Sequence, residues 1–198
     1  MKKLIFFLIC MIMMFSTVGC GKEKEEEYFE TTLSFNKNGS IKDVIVESFS
    51  KDYYSEDGLK AFFQEKISEY NSSNVGGKDV TLDSISVEDG KAKATLIFED
   101  SDAYSSFYNS VAFYGTISEA YDKGYITETV LKKVGASETI SKVDLMKMSD
   151  AEIIIVGEVV RVDCPKKVTY VSANVEVIND KTVRVSSDSS GLAYILLK

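Results

Sequence analysis

Serine and lysine stand three residues apart at Ser34 and Lys37, and again at Ser48 and Lys51. This is the Ser-x-x-Lys spacing of acyl enzymes in which a lysine activates a serine nucleophile. That chemistry needs both side chains on one helical turn. Ser34 and Lys37 fall at the end of an alternating, strand-like segment, where residues three apart point to opposite faces. The companion Lys-Thr-Gly is broken as well, because Lys181-Thr182 is followed by Val183. Ser34, Asn36, Asn38 and Gly39 imitate four positions of a calcium-binding loop, but no aspartate opens it and Ile45 stands where a bidentate glutamate is needed. Cys164, in Asp163-Cys164-Pro165, has Lys166 and Lys167 nearby but no histidine to lower its pKa, so it reads as a spectator thiol. Gly76-Gly77-Lys78 lacks the spacing of a phosphate-binding loop and reads as a connection.

The absence of histidine from all 198 residues removes the commonest general base and the commonest transition-metal ligand. No cofactor and no metal are expected, and the chain does not read as an enzyme. A hydrolase working through carboxylates alone would need two Asp or Glu residues facing one cleft at about 5 to 10 Å. The candidate binding residues are tyrosines: Tyr104, Tyr108, Tyr114, Tyr121 and Tyr125 fall in one short stretch. Tyrosine gives a large contact area with a hydrogen-bonding tip, which suits a small molecule, a peptide or a protein surface. Tyr104 and Tyr108 also continue a helical apolar stripe, so core packing competes with binding as their role.

The elements that must position these residues follow from periodicity. Phe29, Thr31, Leu33 and Phe35 alternate, Asn38-Gly39 signals a type I′ turn, and Ile41 to Phe49 is rich in valine and isoleucine, which predicts a hairpin over 29–49. Ser55 is a candidate N-cap for a helix with Leu59, Phe62, Phe63, Ile67 and Tyr70 on one face. A second hairpin is expected around Asp89-Gly90, then a helix capped by Ser101 with Tyr104, Phe107, Tyr108 and Val111 as its stripe. Thr116 and Glu119 have capping-box spacing, and Gly124 would close that short helix. Residues 126–150 carry no clear signal. Beyond them Ile153 to Val156, Val159 to Val162, Val168 to Val177, Val183 to Val185 and Leu192 to Leu197 read as strands, with Asn179-Asp180 a turn. The expected fold class is α+β with mainly antiparallel strands, two β-hairpin-plus-helix units followed by a β-rich C-terminal part. The two units share order and turn placement but little residue identity, which fits a duplication or a coincidence.

The N-terminus has a different character. Lys2 and Lys3 precede an almost wholly apolar run from Leu4 to Phe15 and short residues before Cys20, the pattern of a secretory signal. About a dozen helical residues span roughly 18 Å, short of the roughly 30 Å hydrocarbon core, so this is a poor permanent transmembrane helix. Thr17-Val18-Gly19-Cys20 resembles the lipobox of bacterial lipoproteins, with threonine where leucine is usual. The resemblance implies cleavage before Cys20 and a diacylglyceryl group on it. Gly21 to Glu27 is charged and buries nothing, as a tether requires, and two or more acyl chains hold stably where one holds only marginally.

The expected organisation is a signal peptide over 1–19, the lipidated cysteine and acidic tether over 20–28, and one extracytoplasmic α+β domain over 29–198. The whole chain has 23 Lys and Arg against 31 Asp and Glu, a net charge of −8 that falls to about −10 when Lys2 and Lys3 leave with the signal. This disfavours nucleic acid and polybasic membrane contact. With Cys10 removed and Cys20 lipidated, Cys164 would be the one remaining thiol and no internal disulfide would form. Through residues 1–20 the chain resembles the small surface lipoproteins of Gram-positive bacteria, a likeness that supplies location and the role of Cys20 but no catalytic residue. A lipid-anchored, non-enzymatic binding or scaffolding module of the cell envelope is the function expected, with membrane contact through Cys20 and an envelope protein as partner. A small-molecule or peptide receptor is the alternative, and a carboxylate hydrolase a more distant one.

Overall fold

The computed structural model describes residues 30–51, 54–74, 77–127, 129–186 and 191–198. Among them the chain runs β1 (Thr32–Phe35), β2 (Ile41–Ser48), α1 (Glu56–Ser73), β3 (Val80–Glu88), β4 (Lys91–Phe98), α2 (Ser101–Tyr108), β5 (Ala112–Thr116) and α3 (Ile117–Asp122). It continues through β6 (Val130–Lys133), β7 (Thr139–Ser141), α4 (Lys142–Met146), β8 (Glu152–Val156), β9 (Arg161–Asp163) and β10 (Val168–Val171), and ends with β11 (Val175–Val177), β12 (Thr182–Val185) and β13 (Ala193–Leu197). The fold is strand-rich and mixed, with two mainly antiparallel sheets. One sheet has the order β11-β12-β9-β1-β2-β4-β3, the other β5-β8-β13-β10-β6-β7. β1 and β9 pair in parallel, Leu33 opposite Val162.

Strand alternation explains the layering. Leu33, Phe35, Ile41, Leu96 and Phe98 of the first sheet meet Ile154, Val156, Ala193, Ile195 and Leu197 of the second in one core. Ile153, Ile155, Tyr194 and Leu196 point the other way, into a second core closed by Ile117 and Ala120 of α3 and Leu145 of α4. β8 and β13 are therefore buried on both faces, which is why Glu152–Val156 and Ala193–Leu197 read as apolar runs without alternation. Each fully buried isoleucine contributes about 1.5–3 kcal/mol, so this double-sided pair is a large share of the driving force.

Several local expectations need correction. The first hairpin does not turn through a type I′ pair: Gly39 N–H donates to Asn36 O at 3.0 Å and Asn36 N–H to Ser40 O at 2.9 Å. Of these loop residues Gly39 alone has a positive φ, so a three-residue loop places the left-handed residue last. Asp89 and Gly90 both have positive φ and do form the two-residue turn. Asp100, not Ser101, caps α2, its carboxylate accepting from Ala103 N–H at 2.8 Å. α2 ends at Asn109 in the left-handed conformation, which leaves Val111 outside the helix. The segment from Val168 to Val177 is two strands in different sheets. The chain crosses between them at Ser172 to Asn174, where the buried Ser172 hydroxyl donates to Asn174 Oδ1 at 2.6 Å and accepts from Tyr194 N–H at 2.9 Å. Within 126–150, where no element was expected, the described residues include β6, β7 and the capped turn of α4.

β5 was not expected as a strand, and it lies at a sheet edge. Its outward N–H groups are nonetheless satisfied: Ala112 donates to Ser105 Oγ at 3.4 Å, Tyr114 to Ser101 Oγ at 3.0 Å and Thr116 to Glu119 Oε2 at 2.7 Å. Side chains of α2 and α3 thus close an edge that would otherwise template further pairing.

Candidate functional site

α1 starts at Ser55, whose hydroxyl accepts from Gly58 N–H, and lies along β3. Asn71 fastens it there: its amide donates to Val80 O at 2.9 Å and accepts from Val80 N–H at 3.0 Å. α2 follows β4 directly, and the two helices approach through Tyr70 and Phe107, whose rings meet edge to face at 5.5 Å. Between them runs a groove of about 390 Å³ lined by Phe62, Phe63, Lys66, Tyr70, Phe107 and Tyr108. Phe62 is 45% exposed at its rim. Phe107 packs on Tyr108 at 5.0 Å and on Phe98 at 5.6 Å, so the inner wall continues into the core.

Beneath that wall lies a carboxylate. Asp43 sits in the middle of β2 with Leu33 and Leu96 as cross-strand partners, and only 3% of its surface is exposed. Tyr108 donates its hydroxyl to Asp43 Oδ2 at 2.8 Å. Burial pushes the Asp43 carboxyl up to about 7; the Tyr108 hydrogen bond opposes this, and the nearby Glu158 charge adds to it. Glu158, in the connection between β8 and β9, accepts from the Tyr104 hydroxyl at 3.3 Å. Desolvation raises both tyrosines well above their ordinary range, the charges of Asp43 and Glu158 adding to it. The two carboxylates are therefore held beside each other by two tyrosines one helical turn apart on α2.

The five tyrosines marked by sequence do not form one surface. Tyr104 and Tyr108 meet at 4.8 Å, Tyr104 in the core and Tyr108 on the groove. Tyr114 reaches Phe35 and donates to Glu152 at 2.9 Å, which also accepts from Lys166 at 2.9 Å. Tyr125 packs at a tilt on Phe113, centroids 5.5 Å apart, half-buried against the second core. Tyr121 is 52% exposed on a wider, shallower face of about 640 Å³ shared with Val130, Ser141, Lys142 and Val143. That face is larger, whereas the groove between α1 and α2 is walled by aromatic rings and has the Tyr108 hydroxyl bonded to a buried carboxylate behind it. Cys20 lies outside the described residues. Cys164 is buried, and burial pushes its thiol up to about 12.

No protein-family model, curated protein or solved structure matches this chain. Asp43 and Glu158 were missed in the sequence, although an acid at the same alternating phase as Ile41 and Ile45 was a visible signal. Among the described residues no cluster of His, Cys, Asp and Glu suits a metal ion, and no helix is long and apolar enough to cross a membrane.

Proposed function

We propose that the chain is a lipid-anchored, extracytoplasmic binding protein of the bacterial envelope, and that the groove between α1 and α2 is where it holds its ligand. The observation that carries the binding part of this reading is the aromatic groove with Tyr108 on its wall and a buried carboxylate behind that tyrosine, while the anchor rests on the lipobox-like Thr17-Val18-Gly19-Cys20. Burying an acid between leucines is costly, and acids perturbed in this way cluster at functional sites. The reading treats residues 29–73 and 80–108 as two hairpin-plus-helix units followed by a β-rich part, so that the groove lies between the helices of the two units. Binding is favoured over catalysis because each carboxylate is already committed to a tyrosine hydroxyl and Asp43 is closed off from water.

The anchor is tested by intact mass and phase partitioning of wild type and Cys20→Ala from the native host. A mature N-terminus at Cys20 carrying acyl mass, lost together with membrane retention in the variant, is expected. A soluble, unmodified form would contradict it. The groove is tested by equilibrium dialysis of the chain against small molecules and peptides extracted from the envelope. A compound retained by wild type and lost by Phe107→Ala supports the reading; retention by neither, or equally by both, counts against it.

A second reading is favoured by the gathering of exposed Tyr121, Val130 at 61% and Val143 at 66% on one face. Exposed apolar patches of this kind mark protein contacts, and here they would dock an envelope protein. Photocrosslinking from position 143 on intact cells would yield a protein adduct under this reading and none without it.

A further inference from the structure

Three features of the groove point to one class of ligand. Its walls are aromatic rings, whose faces carry negative quadrupole density and attract cations. The charge behind the inner wall is acidic: Asp43 accepts from Tyr108 of that wall, and Glu158 accepts from Tyr104, one turn earlier on α2 and in the core. Neither carboxylate pairs with a cation among the described residues. The basic group on the rim, Lys66, is matched by Glu69 at 2.8 Å, so it leaves that acidity uncompensated.

We infer that the groove takes an organic cation, an alkyl- or aryl-ammonium head carried on an apolar body, with the body against Phe62, Phe63 and Phe107 and the head toward the Tyr108 end. The inference rests on the binding reading above and adds its chemistry. A neutral apolar ligand would gain the same contact area but leave the acidic end of the groove unanswered. An anion would be repelled by the negative charge behind the Tyr108 wall. The chain as a whole carries a net charge of −8, which attracts cations from a distance as well.

The arrangement also links binding to protons. The groups facing Asp43 are Tyr104 and Tyr108 from α2 and Glu158 from the connection after β8, while Leu33 and Leu96 flank it on the neighbouring strands. A cation at the Tyr108 end favours the ionised form of Asp43, so binding expels a proton and tightens as pH rises through neutrality.

The test is calorimetric titration of the full chain with benzyltrimethylammonium and with neopentylbenzene, its neutral isostere. At pH 8 the cation is expected to bind about tenfold more tightly than the isostere, and its own affinity to fall about fivefold by pH 6. Asp43→Asn should abolish that pH dependence while leaving the isostere unaffected. Glu158→Gln should weaken the preference yet keep the pH dependence, and it serves if Asp43→Asn fails to fold. Equal binding of cation and isostere would overturn the charge inference and leave the groove reading standing. Binding of neither would count against both.

Discussion

The hydroxyl of Tyr108 donates to Asp43 across 2.8 Å, joining the last turn of α2 to the middle of a strand in the first sheet. The bond answers a buried acid on that core face and fixes the inner wall of the groove. Tyr108→Phe keeps the ring and deletes the donor, leaving the carboxylate without its partner. A loss of about 1–3 kcal/mol is expected at pH 8. Urea unfolding should show a smaller loss at pH 5, where Asp43 is protonated and has less need of a donor.

Asp43 makes stability depend on pH in an unusual direction. Its carboxyl is raised from 3.8 to about 7 on folding, so the folded chain binds the proton more tightly than the unfolded one. The contribution is complete below about pH 4 and is lost as pH rises through 7, on the order of 4 kcal/mol in all. Glu119, Glu138 and Asp144 are held low by hydrogen bonds and act oppositely, their stabilisation fading as acid protonates them. Stability measured by urea should therefore fall between pH 4.5 and 7.5. Asp43→Asn should flatten that fall, and an unchanged slope in the variant would assign it elsewhere.

Cys164 is packed in the core, and burial followed by the adjacent Asp163 charge pushes its thiol up to about 12. The thiolate that reacts is almost absent at neutral pH. In a chain carrying Cys10→Ser and Cys20→Ala, an aromatic disulfide reagent should leave Cys164 unmodified in the folded state and modify it fully in guanidinium. Rapid labelling of the folded chain would mean that this part of the core opens.

The edge of β5 is closed by Ser101, Ser105 and Glu119, and Thr116 forms a capping box with Glu119 that starts α3. Thr116→Ala should cost about 1 kcal/mol through the lost cap. Ser101→Ala frees the Tyr114 N–H, and its expected signature is a concentration-dependent sedimentation coefficient that wild type does not show, since a bared edge can pair with another chain.

Much of this architecture was written locally. Thr116 and Glu119 announce α3 by spacing alone, and Asp89-Gly90 fixes its hairpin because both residues tolerate positive φ. The break between β10 and β11 was not legible, because β-propensity runs on through Tyr170 to Val175. The change of sheet is decided by the buried bonds of Ser172 and Asn174 to the distant Tyr194 and Leu192. β6, β7 and α4 are too short to declare a period. The groove was half visible: Phe62, Phe63, Tyr70, Phe107 and Tyr108 all stood out on helical stripes. Their meeting depends on how two helices from separate segments are laid on the sheets, and no local pattern encodes that.

The central claim is that the groove between α1 and α2 holds a ligand while the protein sits at the cell surface. The most direct measurement places a benzophenone amino acid at position 62, on the exposed rim, and irradiates intact cells of the native host. Intact mass of the protein recovered from the membrane fraction is then compared with that of a chain carrying the same probe at position 132, in β6 of the other sheet. A discrete added mass from position 62, absent from position 132 and absent in Phe107→Ala, is the expected result. No adduct at position 62, or the same adducts from both positions, would contradict the account.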